Sequence, residues 1–281
     1  MNTPRAIIHR TRGQSGGPIT RLLSPSDRRA ELIKPFVFLD RFEGGFSDAL
    51  PMESGWHPHS GIATVTVVLD GAVRYAETTG ATGVLPAGRV EWMRAGGGVW
   101  HTGGVEPGVV RGFQLWVALP PELENAPSES RYVMPEQVPA LGPVRVVLGR
   151  YRGSASPIAA PPMTYLSVSL KGGERWTFEP PAGHDVAWVA VMDGALRTPE
   201  PITRGELALF EQMESPIDFV AEGETRFVLG SAPQHPYKLI LGPYSVHTSH
   251  EALERGASEI RRIGRALRVE GKQSYALRSF G

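Results

Sequence analysis

The chain contains no cysteine, which excludes disulfides, thiolate nucleophiles and zinc or iron–sulfur sites built on sulfur ligands. Any metal must rest on histidine, aspartate or glutamate. An excess of one charge is lacking too. Lys plus Arg number 29 and Asp plus Glu number 29, for a formal net charge of +0. No global positive field exists to hold a phosphate backbone, so direct nucleic-acid binding is not expected. The start, Met1-Asn2-Thr3-Pro4-Arg5-Ala6-Ile7-Ile8, lacks the apolar core of a signal peptide, and no stretch reaches the roughly 18 apolar residues of a membrane span. These absences predict a soluble, cytoplasmic chain with no membrane partner.

Turn-formers are abundant. With 33 Gly and 25 Pro among 281 residues, the chain favours many short strands over long helices, and its length leaves room for two domains. Strand-like runs fall at 62–69, 72–77, 111–119, 144–149, 164–170, 186–192, 207–210, 217–220 and 226–230. Asp70-Gly71, Pro86-Ala87-Gly88 and Asp193-Gly194 punctuate them, in the rhythm of a sandwich or small barrel. The polar, proline-rich segment from Pro120 to Pro143 predicts a handover between domains, placed between residues 137 and 138. Thr248-Ser249-His250-Glu251 matches a capping box, and Leu253, Ala257, Ile260 and Leu267 recur at helical spacing. A terminal helix of about four turns is expected.

The halves echo each other. Val65-Thr66-Val67-Val68-Leu69-Asp70-Gly71-Ala72 is matched by Trp188-Val189-Ala190-Val191-Met192-Asp193-Gly194-Ala195, as expected of two copies of one hairpin scaffold.

The sharpest chemical signal is His57-Pro58-His59, with His101 standing after Ala95-Gly96-Gly97-Gly98. Alternate residues of a strand share a face, so His57 and His59 can aim both imidazoles into one cavity. A closed barrel can bring His101 to the same point, giving three nitrogen donors suited to iron, copper, nickel or zinc. The same spacing also occurs in ordinary polar pairs on strands, so it leaves both readings open. No carboxylate accompanies the set, since Gly103 stands two residues after His101 and Ala63 four after His59. His184 and His235 read as loop residues, and His247 and His250 as solvent-facing or helix-terminal. The six tryptophans read first as core packing, although Trp56 and Trp100 flank the proposed ligands and can wall a substrate pocket. The glycine run lacks the Lys-Ser/Thr sequel of a phosphate loop and reads as a flexible turn delivering His101.

The chain resembles the pirin family of the cupin superfamily. The resemblance is carried by Pro35-Phe36-Val37-Phe38-Leu39-Asp40-Arg41-Phe42, His57-Pro58-His59-Ser60-Gly61, Glu91-Trp92-Met93-Arg94-Ala95-Gly96-Gly97-Gly98-Val99-Trp100-His101, Gly112-Phe113-Gln114-Leu115-Trp116-Val117 and Gly242-Pro243-Tyr244-Ser245-Val246. It implies an all-β bicupin, two jelly-roll barrels in tandem with a short C-terminal helix. The first barrel, 1–137, would hold the metal, and the second, 138–281, would lack ligands. Carrying the repeat back from Asp193 places Pro180 and Ala182 where the first half has His57 and His59, in agreement. The family's metal motif falls on His57, His59 and His101, and its glutamate falls on Gly103.

The resemblance implies a divalent metal, Fe(II) first, with Mn, Ni, Cu or Zn as alternatives, and a metal-free state as a further one. It also implies a quercetinase-like dioxygenase of a flavonol or another small aromatic or enolic molecule. Gly103 can neither bind metal nor take a proton, so two other readings stand beside that one. They are a regulatory binding protein with a protein partner, and a cupin with a vestigial site. Glu106 stands three residues beyond the vacated position, before Pro107, and is a poor replacement.

Overall fold

Short apolar alternations broken by glycine turns become antiparallel strands in the computed structural model, which describes residues 5–47 and 52–269. The chain divides into two units, one gathering 1–41 with 133–236 and the other 42–132 with 237–281. They are interlaced along the sequence, unlike the expected single cut at 137. The reason is pairing at the two ends. Strand Ile7–Thr11 pairs with Leu207–Phe210 inside the first unit, whereas the Val246 amide donates to the Ser60 carbonyl inside the second. The remaining changeover, at Tyr132 to Val133, lies in the proline-rich segment, which itself contributes a strand, Glu129–Val133.

In the first unit, the strands Ile7–Thr11, Leu207–Phe210, Val186–Arg197, Ile217–Ala232, Thr164–Leu170 and Val144–Tyr151 lie side by side in that order. Their inward residues meet around Trp176, Phe178, Phe210, Phe219 and Phe227, all buried. Trp176 stacks on Phe219 at 5.7 Å between ring centroids. Burying such rings contributes roughly 2–3 kcal/mol each. The two expected runs at 217–220 and 226–230 are one strand, Ile217–Ala232.

In the second unit, a four-stranded sheet runs Glu53–His59, Val99–Val105, Ala72–Glu77, Thr82–Pro86. Strands Glu129–Val133, Val90–Arg94, Ile62–Asp70 and Gly108–Ala118 form a second layer in that order. Apolar side chains from both layers, Leu85 and Val105 from one and Val68 and Val110 from the other, share one core cluster. The internal repeat is visible in matching ion pairs. Asp70 pairs with Arg111 at 2.7 Å in one unit, and Asp193 with Arg226 at 2.6 Å in the other.

Several elements escaped the sequence reading: strands Ile19–Leu23 and Phe36–Phe46, and the helix Arg28–Ile33 capped by Asp27. The terminal helix, His250–Val269, has 20 residues, longer than expected. Its cap is Ser249, whose hydroxyl accepts from the Ala252 amide at 3.1 Å, while Thr248 turns to Glu124. No described helix is long and apolar enough to cross a membrane.

Candidate metal centre

The triplet ends its own strand, Glu53–His59, and Ser60-Gly61 turn the chain into Ile62–Asp70. Gly61 has φ +73, and a Cβ there would stand 2.0 Å from the Val246 carbonyl oxygen. Only glycine permits both that conformation and that approach.

Ladder register carries the third histidine to the first two. His101 lies directly opposite His57, and the register then slips, so that Gly103 faces Ser54. Such a bulge bends its strand and re-aims side chains. The ligand atoms of His57, His59 and His101 all lie within 4.8 Å of one another. His59 Nε2 and His101 Nε2 are 3.0 Å apart, and the ring centroids of His57 and His101 4.2 Å. The glycine loop that delivers His101 is pinned, since the Gly96 carbonyl accepts from the Gly61 amide at 2.7 Å and the Gly97 amide donates to Ala126.

Hydrogen bonds behind the rings select the tautomer. His57 Nδ1 donates to the Gly55 carbonyl at 2.8 Å, and His59 Nδ1 donates to the Tyr244 carbonyl at 2.9 Å. Each bond leaves an Nε2 lone pair for the cluster, the usual backing of a metal-bound imidazole. Burial, aided by the neighbouring His57, lowers His59 to about 3, against the raising effect of the Tyr244 carbonyl. Burial also lowers His57 and, with both other imidazoles, pushes His101 well down. All three are therefore neutral donors at pH 7, the form a divalent metal requires. The donor set fits such an ion.

Around the cluster, Trp116 meets His59 edge-on at 4.7 Å, and the Tyr244 ring lies 5.9 Å from His57 and 6.2 Å from His59. Gly103 is outside the left-handed region, and a Cβ there would stand 2.8 Å from the Arg74 carbonyl oxygen. Glu106 pairs with Arg74 at 2.9 Å and does not join the cluster, which holds no carboxylate among the described residues. The nearest in register is Glu77, opposite His101, whose carboxylate accepts from the Ser130 and Tyr132 hydroxyls.

Trp56 lines a cavity of about 820 Å³ beside the terminal helix, together with Glu77, Asn125, Ile263 and Leu267. Trp100 serves a different purpose, its indole N–H donating to the Ile260 carbonyl at 2.9 Å. His184 and His235 lie in loops as expected, though buried. His247 does not face solvent: it is 1% exposed, on the strand Ser245–His247. Sequence reasoning missed Trp116, His247 and Tyr244 as neighbours of the site. Only the match of 242–246 to a family stretch pointed at that segment.

The fold and this cluster define a cupin. A family model described as Pirin matches residues 19–117. A Pseudomonas aeruginosa protein named "Putative quercetin 2,3-dioxygenase" is 34% identical, over 88% of this chain and 91% of its own. A pirin-like protein of Caulobacter vibrioides is 34% identical over 69% of this chain and 74% of its own. The crystal structure of quercetin 2,3-dioxygenase from Acinetobacter baumannii superposes with a TM-score of 0.85 at 22% identity, over 92% of this chain and 98% of that one. The bacterial pirin YhhW of Escherichia coli, in complex with nickel(II), superposes at 0.63 with 17% identity, over 79% and 94%. The chain belongs to the pirin family of the cupin superfamily.

Proposed function

We propose that this protein binds a divalent metal, Fe(II) first, through His57, His59 and His101, and acts as a dioxygenase on a flavonol-like or other small aromatic or enolic substrate. The observation that carries the reading is the convergence of three neutral imidazoles, two of them tied at Nδ1 to backbone carbonyls. The names of the relatives supply the substrate class. The metal, when bound, supplies Lewis acidity and redox capacity. The chain's own residues do the rest. The imidazoles present their lone pairs, and Trp116 closes the space against His59.

One observation favours a second reading. Gly103 leaves the site without a carboxylate base, and Glu77 is committed to two hydroxyls, so a protein that binds without turnover is the alternative. Metal analysis of protein purified without added metal, followed by dioxygen uptake with quercetin and a phenol panel, decides between them. Metal with uptake supports the dioxygenase. Metal without uptake supports a binding or regulatory protein. No metal, even after loading with iron, supports a vestigial site.

A further inference from the structure

Behind His59 lies a buried constellation that supplies no ligand to the metal site. Ser60 Oγ stands 2.9 Å from His247 Nε2 and donates to Ser245 Oγ at 2.9 Å. On its other side, His247 Nδ1 is 3.2 Å from Glu124 Oε2. Glu124 also accepts from the Thr248 amide at 2.6 Å and the Thr248 hydroxyl at 2.7 Å. Ser60, Glu124 and His247 are all 2% exposed or less.

The order Ser, His, Glu is that of a hydrolase triad, but the packing denies that chemistry. A Cβ at Gly256 would stand 2.5 Å from Ser60 Oγ and 2.7 Å from His247 Nε2. The terminal helix therefore lies directly on the hydroxyl, where a substrate carbonyl would have to sit.

What the constellation does hold is the strap 243–248. Tyr244 sits at φ +59, a left-handed conformation that a bulky residue keeps only when its surroundings over-determine it. Hydrogen bonds on either side of Tyr244 supply that restraint. The Val246 amide donates to the Ser60 carbonyl at 3.3 Å, and the Ser245 hydroxyl donates to the Pro243 carbonyl at 3.2 Å. Ser60 and Glu124 then grip His247 and Thr248. Pinned on that side, the strap presents the Tyr244 carbonyl to His59 Nδ1.

We propose that Ser60, His247 and Glu124 are positioning residues for the metal centre, acting through the strap to fix the tautomer and ring plane of His59. This rests on the metal reading above, and the test separates the two. Ser60→Ala, Glu124→Gln and His247→Phe are made in the full chain. The first readout needs no metal. In protein labelled with ¹⁵N-histidine, the His59 Nδ1–H signal, assigned by its loss in His59→Gln, exchanges slowly in the parent and at least about 10-fold faster in each variant. The second is Co(II) titration, in which each variant binds about 10–100-fold more weakly and shows an altered visible spectrum. A purely structural staple would lower the thermal midpoint and leave proton exchange, affinity and spectrum as they were. That result in folded Ser60→Ala and Glu124→Gln overturns the proposal. If His247→Phe does not fold, Ser60→Ala, which removes one oxygen, carries the test. A parent that takes up no Co(II) overturns the metal reading alone, and the proton exchange still decides whether the network holds His59.

Discussion

His59 Nδ1 donates a hydrogen bond to the backbone carbonyl of Tyr244, 185 residues further along the chain, at 2.9 Å. A donor atom of the candidate metal centre is thus oriented by a segment that follows the whole of the other unit in sequence. The consequences can be measured.

His101 is the one ligand delivered by a separate strand. Replacing it with Ala leaves two imidazoles, which hold a divalent ion poorly, because a third donor both adds a bond and closes the geometry. His101→Ala should weaken Co(II) or Fe(II) binding by more than about 100-fold. Isothermal titration against the parent checks this, and unchanged affinity would remove His101 from the site.

Restoring the missing carboxylate sets two effects against each other. Gly103→Glu adds an anionic donor beside the imidazoles, which should raise affinity for iron and manganese. Its Cβ, however, would lie 2.8 Å from the Arg74 carbonyl oxygen, a backbone atom that must shift. A cost of about 1–3 kcal/mol in stability is expected. Paired thermal melts and metal titrations should show a lower midpoint and a tighter site, and equal affinity at equal stability would show that the carboxylate is not what limits binding.

Glu91 predicts a pH dependence. Burial, with the charge of Glu77 adding and the Thr66 hydroxyl opposing, raises it from 4.5 to about 7. The folded state holds this proton more tightly than the unfolded one. Its contribution is therefore complete below about pH 4.5 and is lost as pH rises through about 7, an effect on the order of 3 kcal/mol. Glu91→Gln should flatten that part of the profile between pH 5 and pH 8 and be the more stable protein at the alkaline end. Urea unfolding at several pH values reads it out, and parallel profiles for parent and variant would contradict the assignment.

Gly61 is the point where the turn after the ligands meets the strap. Gly61→Ala combines a left-handed alanine with a Cβ 2.0 Å from the Val246 carbonyl oxygen. Destabilisation of about 2–4 kcal/mol is expected. A loss below about 0.5 kcal/mol in denaturant unfolding would mean that the strap does not sit against the turn.

Much of this was legible in the chain. The strands Ala72–Glu77, Thr164–Leu170 and Leu207–Phe210 begin and end where the apolar runs do, because local turn chemistry stops them. The three histidines were legible through residue type, strand alternation and motif. Illegible were Phe36–Phe46 and Glu129–Val133, whose pairing depends on distant neighbours and not on an alternation of their own. His247 was misread for a related reason. Its nearness to the helix start suggested solvent, whereas Ser60 and Glu124, far away in sequence, bury it.

By itself the sequence determined the cysteine-free chemistry, the β-rich repeat and which residue types are available as ligands, because composition and short-range periodicity act locally. Only the tertiary structure decided that the two ends of the chain go to different units and that His101 lies across the ladder from His57. It alone decided, too, that a left-handed Tyr244 backs His59. Each of these is a long-range pairing, and its energy comes from packing and hydrogen bonds that no local stretch of sequence contains.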